Sequence, residues 1–250
     1  AIGVTETYDR IGRGYATRRQ ADPRIASAIR SALGDCGSIL NVGAGTASYE
    51  PADLEVVAVD PSCTMIRQRP RAAAPAVQAR AEALPFRDAS FDAVLGILTL
   101  HHWQDLKLGL AECRRIARRR IVFFTIDLDV YDRFWLLQEY FPDILALDRA
   151  IFPAINTISK TLGPLDVTPV AIPADCKDGF LGAYWRRPEA YLDPDILAGM
   201  STFSKMSNVK ERLASLRRDL DSGLWEHAHR GMLAADEFDL GYRLVVANLL

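Results

Sequence analysis

What constrains this chain most is where its apolar runs stop. Ser38-Ile39-Leu40-Asn41-Val42 ends at Gly43 and Gly45, and the β-branched run at residues 54–59 ends at Asp60-Pro61. A long run, FDAVLGILTL, fills residues 91–100, with shorter ones at 76–79 and 121–126. Helical patterns lie before and between them. Residues 22–33 open after Asp-Pro, a helix-start signal, and set Ile25, Ala28, Ile29, Ala32 and Leu33 on one face. Residues 105–118 form the second pattern. Strands alternating with helices predict βαβ units and a mainly parallel sheet. Such sheets bury both faces, so their strands read as continuous apolar runs.

Beyond residue 130 the character changes. Residues 131–162 are rich in aromatics and leucines and read as helical, and residues 180–220 read as helical pieces broken at Pro188 and Pro194. A strand is expected near 165–172, and LGYRLVVA at 240–247 reads as the last one. The expected architecture is a single α/β domain over 1–250. It has an N-terminal helical segment (1–37), a core (38–130), a helical cap and substrate region (131–239) and a final strand (240–250). Because a strand returns at the end, the helical stretch is an insertion and not an appendage. Its aromatics, with Gly179 and Gly182 beside Phe180, Tyr184 and Trp185, suit a mobile loop with apolar anchors over a substrate. They suit equally a cap that is merely holding itself together.

Composition excludes several classes. With 30 basic and 32 acidic residues and a net charge of −2, no global field draws the chain to a polyanion. No apolar run approaches the ~18–20 residues that span a bilayer. The first residues lack the basic-then-apolar order of a signal peptide. Four dispersed cysteines (Cys36, Cys63, Cys113, Cys176) without a CxxC pair suit a reducing compartment and argue against structural zinc. A cytoplasmic protein, with no nucleic-acid or membrane partner and no metal, is the expectation, and composition says nothing of its chemistry.

The glycines carry the first chemical signal. A strand-to-helix turn needs small residues so that the backbone turns sharply and a ligand approaches the main chain, with helix N–H donors beyond it. A plain loop turn uses the same residues. Asp60 ends the next strand at the same sheet edge, where a carboxylate accepts hydrogen bonds from both hydroxyls of a ribose. It also reads as a turn aspartate before proline. A pyrophosphate fingerprint would require a third glycine where Ser48 stands, which disfavours a dinucleotide and an oxidoreductase. A ligand with ribose and adenine but no phosphate suits the turn better.

The motifs NVGAGTA (41–47), DPSCTMI (60–66), AEALPF (81–86) and SFDAVLGILTLHHW (90–103), in this order and spacing, resemble the class I S-adenosylmethionine-dependent methyltransferases. The resemblance covers residues 39–126 and implies a Rossmann-like, seven-stranded, mainly parallel sheet with helices on both faces. It implies S-adenosylmethionine as cofactor and S-adenosylhomocysteine as product. Gly43, Ala44 and Gly45 would approach the methionine moiety and ribose. Asp60, with Pro61 behind it, would hold the ribose hydroxyls, and Met65 would lie beside the nucleoside. Ala81 and Glu82 would lie at the adenine edge and Leu98 near the adenosyl group. In related enzymes a segment before the first core helix folds over the cofactor, which points to Tyr15 and Arg19. Three positions depart from the pattern. Asn41 stands where an acid is common, Ala47 replaces a glycine and requires an ordinary helical φ, and Arg80 replaces an aspartate before the AEALPF alanine.

Methyl transfer from a sulfonium is an in-line displacement that needs alignment more than acid or base. His101 and His102 are the candidates for a helping base, or they simply pack the loop. Arg114, Arg115, Arg118, Arg119 and Arg120 read as a solvated helix end. The expected function is methyl transfer to a small-molecule acceptor. The alternative is a noncatalytic methyltransferase-like domain that binds a ligand or partner.

Overall fold

The computed structural model describes residues 20–200, 202–203 and 206–249, so Tyr15 and Arg19 lie outside the described residues. Helix α1 (Pro23–Leu33) starts as its sequence demands. Pro23 occupies the first turn, and the buried Asp22 carboxylate accepts from the Arg24 N–H at 3.0 Å. The Arg24 guanidinium adds a second contact at 2.8 Å and, with backbone N–H donors, holds that carboxyl down at about 2. Strands β1 (Ser38–Val42), β2 (Glu55–Asp60), β3 (Ala76–Gln78), β4 (Phe91–Ile97) and β5 (Ala117–Ile126) pair in parallel. Helix α2 (Cys63–Arg67) follows β2, and α3 (Leu106–Ile116) separates β4 from β5.

After β5 come short helices: α4 (Leu128–Tyr131), a π turn (Leu136–Tyr140), α5 (Pro142–Ile151) and α6 (Ile155–Leu162). Strand β6 (Asp166–Pro169) interrupts them, followed by β7 (Ile172–Pro173), two 3-10 turns (Leu181–Tyr184 and Pro188–Leu192) and α7 (Pro194–Ala198). The chain then runs through α8 (Val209–Asp221), α9 (Leu224–Ala228), α10 (Arg230–Leu233), β8 (Glu237–Phe238) and β9 (Tyr242–Asn248). The sheet has seven strands in the order β3-β2-β1-β4-β5-β9-β6, with β9 antiparallel to both neighbours.

Consecutive residues on the central strands feed opposite cores. Ile39, Ala93, Val122 and Phe124 pack with α1 and the aromatic-rich stretch, whereas Leu40, Val94, Ile121 and Phe123 pack with α3 and α6. Helices therefore cover both faces, as a parallel sheet requires.

Three expectations are corrected. No helix follows the glycine turn: residues 43–54 are turns and loop. The strand expected at 165–172 divides, because Pro169 and Pro173 lack the N–H that would continue one ladder. Residues 166–169 edge the main sheet, while Ile172–Pro173 pairs with Glu237–Phe238. The helical pieces expected from residue 180 do break at Pro188 and Pro194, and each proline stands in the first turn of the next piece.

The arginine run divides: Arg114 and Arg115 stand in the last turn of α3, as expected, but the other three do not belong to a helix end. Arg118, Arg119 and Arg120 lie on β5, which begins at Ala117. Arg118 bonds Asp92 at 2.8 Å, Arg119 bonds Asp35 at 2.8 Å, and Arg120 reaches the Ala32 carbonyl at 2.9 Å. Burial raises the Asp92 carboxyl, but Arg118 and the N–H groups of Ser38 and Gly37 outweigh it and hold it at about 2.

Candidate functional site

The site is built on two strand ends that the sheet holds side by side. β1 ends where Gly43 and Gly45 adopt φ of +70° and +51°, conformations that L side chains rarely take. A Cβ on Gly43 would lie 1.8 Å from the Thr99 hydroxyl oxygen, so this position is glycine for space as well as for φ. Ala47 adopts φ +78°. The ordinary helical φ expected of it is not found, and the reason is the missing helix: the chain must turn back here towards β2.

β2 ends at Asp60, which is only 7% exposed. Its Oδ2 accepts from the Gly45 N–H at 2.8 Å and its Oδ1 from the Ser62 N–H at 2.9 Å. Each oxygen keeps further lone-pair capacity. Burial pushes this carboxyl above its ordinary range, against the opposing pull of those two N–H groups and the Arg69 charge. The Ser62 side chain then caps α2 by accepting from the Met65 N–H, which seats Met65 with its Cε 3.4 Å from where a Gly45 Cβ would stand. One Asp-Pro-Ser turn thus positions the acid and the methionine together.

Between these ends lies a cleft of about 1100 Å³, open mouth included. Gly43, Ala44, Gly45, Asp60, Pro61, Met65, Ala81, Glu82, Leu98 and His102 all line it. Leu98 leaves β4 at φ +47°, a strained conformation for a bulky residue, at the cleft wall. The Glu82 carboxylate is occupied elsewhere: it accepts from the N–H groups of Gln104 at 2.6 Å and Asp105 at 3.2 Å. His101 does not line the cleft. It stacks on Phe152 with ring centroids 4.0 Å apart, beside His102 at 3.7 Å.

Sequence reasoning missed Tyr49, Thr99, Trp103 and Gln104, which also line the cleft. Aromatic walls were expected from the inserted stretch, yet none of the described residues of 131–239 lines this cleft. Trp185 and Tyr191 are fully buried within that stretch, and Gly182 is pinned by its N–H to the Tyr242 hydroxyl at 3.2 Å. The stretch reaches the cleft indirectly, at Phe152 through His101 and at Asp178, which accepts from the Tyr49 hydroxyl at 2.8 Å.

The residues suit a nucleoside bearing an amino acid. Asn41, 2% exposed, lies in the cleft wall with its Oδ1 unpaired among the described residues, an acceptor waiting for a donor. Without a helix after the glycine turn there is no helix N-terminus for a pyrophosphate, which agrees with Ser48. Among the described residues no group of His, Cys, Asp and Glu could hold a metal ion.

Comparison with known proteins agrees with this geometry. The methyltransferase domain family matches residues 40–124. The solved structure of a putative methyltransferase from an antibiotic biosynthesis pathway of Anabaena variabilis is 33% identical. It aligns over 93% of this chain and 99% of that one, with a TM-score of 0.82. The chain belongs to the class I S-adenosylmethionine-dependent methyltransferases.

Two curated relatives match in part. An uncharacterized protein of Methanocaldococcus jannaschii is 26% identical over 55% of this chain and 57% of its own length. A malonyl-[acyl-carrier protein] O-methyltransferase of Pseudescherichia vulneris is 32% identical over 46% of this chain and 49% of its own. The matches thus span about half the length of these curated relatives.

Proposed function

We propose that this cleft holds S-adenosylmethionine and that the protein transfers its methyl group to a small-molecule acceptor. The observation that carries the reading is convergence: the glycine turn, Asp60, Met65, Ala81 and Leu98 line one cleft that also contains the unpaired Asn41 oxygen. When bound, the cofactor would supply a methyl on a sulfonium, whose carbon an acceptor lone pair would attack in line as the C–S bond breaks and S-adenosylhomocysteine leaves. The chain's own residues bind and orient. Asp60 accepts from the ribose hydroxyls, and Asn41 Oδ1 accepts from the ammonium of the amino-acid end. Met65 and Leu98 flank the nucleoside, and the backbone at Ala81 meets the adenine edge. Glu82, its carboxylate held by two backbone donors, shapes that edge without contacting it by charge.

His102 is the candidate to take a proton from an acceptor hydroxyl or amine. His101 acts by stacking on Phe152. Tyr15 and Arg19 remain candidates for the cofactor's carboxylate end. The inserted stretch forms the acceptor side, a role supported by the bond of Asp178 to Tyr49 in the cleft wall and by Phe152 stacked on His101 beside His102. The absence of a net positive field favours a small acceptor over RNA. Free cysteines throughout favour the cytoplasm.

A thermal-shift panel tests the reading. S-adenosylmethionine and S-adenosylhomocysteine, at 100 times their dissociation constants, stabilise the protein by about 2.7 kcal/mol, and NAD(H) does not. A shift with NAD(H) alone would overturn it. Binding without turnover across a broad acceptor library would favour the noncatalytic alternative.

A further inference from the structure

The connection from β1 to β2 lacks its helix and Asn41 lacks the charge common at its position, yet the turn between them is held by a buried ion pair. Glu50 and Arg69 have side chains 8% and 5% exposed and bond at 2.7 Å. The Glu50 carboxylate takes Arg69 Nη2 on both oxygens, the Ala74 N–H at 3.3 Å and the Asn41 amide Nδ2 at 3.1 Å. Arg69 extends its other arm to the Gly45 carbonyl at 3.2 Å. Gly45 is thereby held at both ends of the residue, its N–H by Asp60 and its C=O by Arg69.

An ionised carboxylate only accepts hydrogen bonds, so the Asn41 atom facing it must be the NH2 group. That fixes the amide. Oδ1 is left as the acceptor on the remaining side of a residue that lines the cleft.

We propose that Glu50, anchored by Arg69, is a positioning residue for the amino-acid end of the cofactor. It sets the Asn41 amide so that an oxygen, not an NH2, meets the ammonium, and through Arg69 it holds the turn that the nucleoside lies against. The proposal rests on the cofactor reading above and goes beyond it by assigning a role to two residues outside the cleft lining.

Titration calorimetry with S-adenosylhomocysteine and with methylthioadenosine, the nucleoside without the amino-acid tail, tests it. In Glu50→Gln the new oxygen takes the place of Oε2, where Arg69 and the Ala74 N–H donate, and the NH2 takes the place of Oε1 and faces Asn41. The Asn41 amide then turns round and presents a donor to the ammonium. S-adenosylhomocysteine affinity falls about tenfold or more, while methylthioadenosine affinity stays within about twofold of wild type. Adding Asn41→Asp restores the loss, because a carboxylate accepts on both sides. Equal losses for the two ligands, no loss, or no restoration would overturn the proposal.

Should Glu50→Gln not fold, Asn41→Asp alone carries the test. Beside ionised Glu50 its new carboxyl retains a proton, so the ratio of the two affinities varies with pH around neutrality where that of wild type is flat. A flat ratio in that variant would overturn the proposal. Wild-type protein that binds neither ligand would overturn the cofactor reading itself, and the proposal with it. Wild-type protein that binds both isolates the test to Glu50.

Discussion

At the residue scale the site turns on Asp60. Burial raises its carboxyl pKa in the ligand-free protein, so the ionised form is the costly one. A raised carboxyl gives its full stability at low pH and loses it as pH rises through the folded-state value. On the proposed reading, ribose hydroxyls donate to the ionised form and lower that value, so binding would release a proton. S-adenosylhomocysteine affinity therefore climbs as pH rises through the Asp60 value. Asp60→Asn weakens binding about 10- to 100-fold, the loss of one or two charge-assisted hydrogen bonds, and flattens the pH profile. Calorimetry over a pH series reads both effects. An unchanged slope in the variant would remove Asp60 from the ribose site.

Residues of this kind were legible in the sequence because main-chain geometry dictates them: Gly43 for lack of room, Asp60 for ending a strand before proline. Glu50 and Arg69 were not. Their pairing depends on a turn folding back on itself, which no local pattern announces. The Tyr49–Asp178 bond joins residues 129 apart in the chain and has no local signature at all.

At the scale of elements, strands fixed by burial were easier to read than their ends. β1 and the start of β4 fall where the apolar runs fall. β5 begins before its apolar core because Asp92 and Asp35 neutralise the arginines that precede it. The β1–β2 connection is the largest departure, and it strains Ala47 at φ +78°. A left-handed conformation costs a non-glycine residue roughly 1–2 kcal/mol. Ala47→Gly therefore stabilises the protein by about 1 kcal/mol after its larger unfolded-state entropy is offset. The melting temperature should rise by roughly 2–4 °C for a domain of this size. A fall in melting temperature would show that Ala47 makes a contact worth more than its strain.

At the scale of the whole molecule, the sheet divides labour between its halves. The strand ends before residue 105 supply the cleft, and the aromatics between β5 and β9 join α1 in the core on one face of the sheet, while α6 packs on the other. Trp135 donates to the Trp185 carbonyl at 2.8 Å and packs on Trp225 with centroids 5.0 Å apart. Trp185 in turn donates to the Ile172 carbonyl at 2.9 Å. The aromatic content of that stretch thus has a structural use, and it meets residues at or next to the cleft where Asp178 accepts from Tyr49 and Phe152 stacks on His101.

The central claim is that one cleft holds the nucleoside at Asp60 and the amino-acid end at Asn41. A crystal structure of the protein with S-adenosylhomocysteine tests it most directly. The account predicts both ribose hydroxyls within hydrogen-bond distance of the Asp60 carboxylate and the ligand's amino nitrogen on Asn41 Oδ1. Ligand density seated away from the glycine turn, or a ribose turned from Asp60, would contradict it.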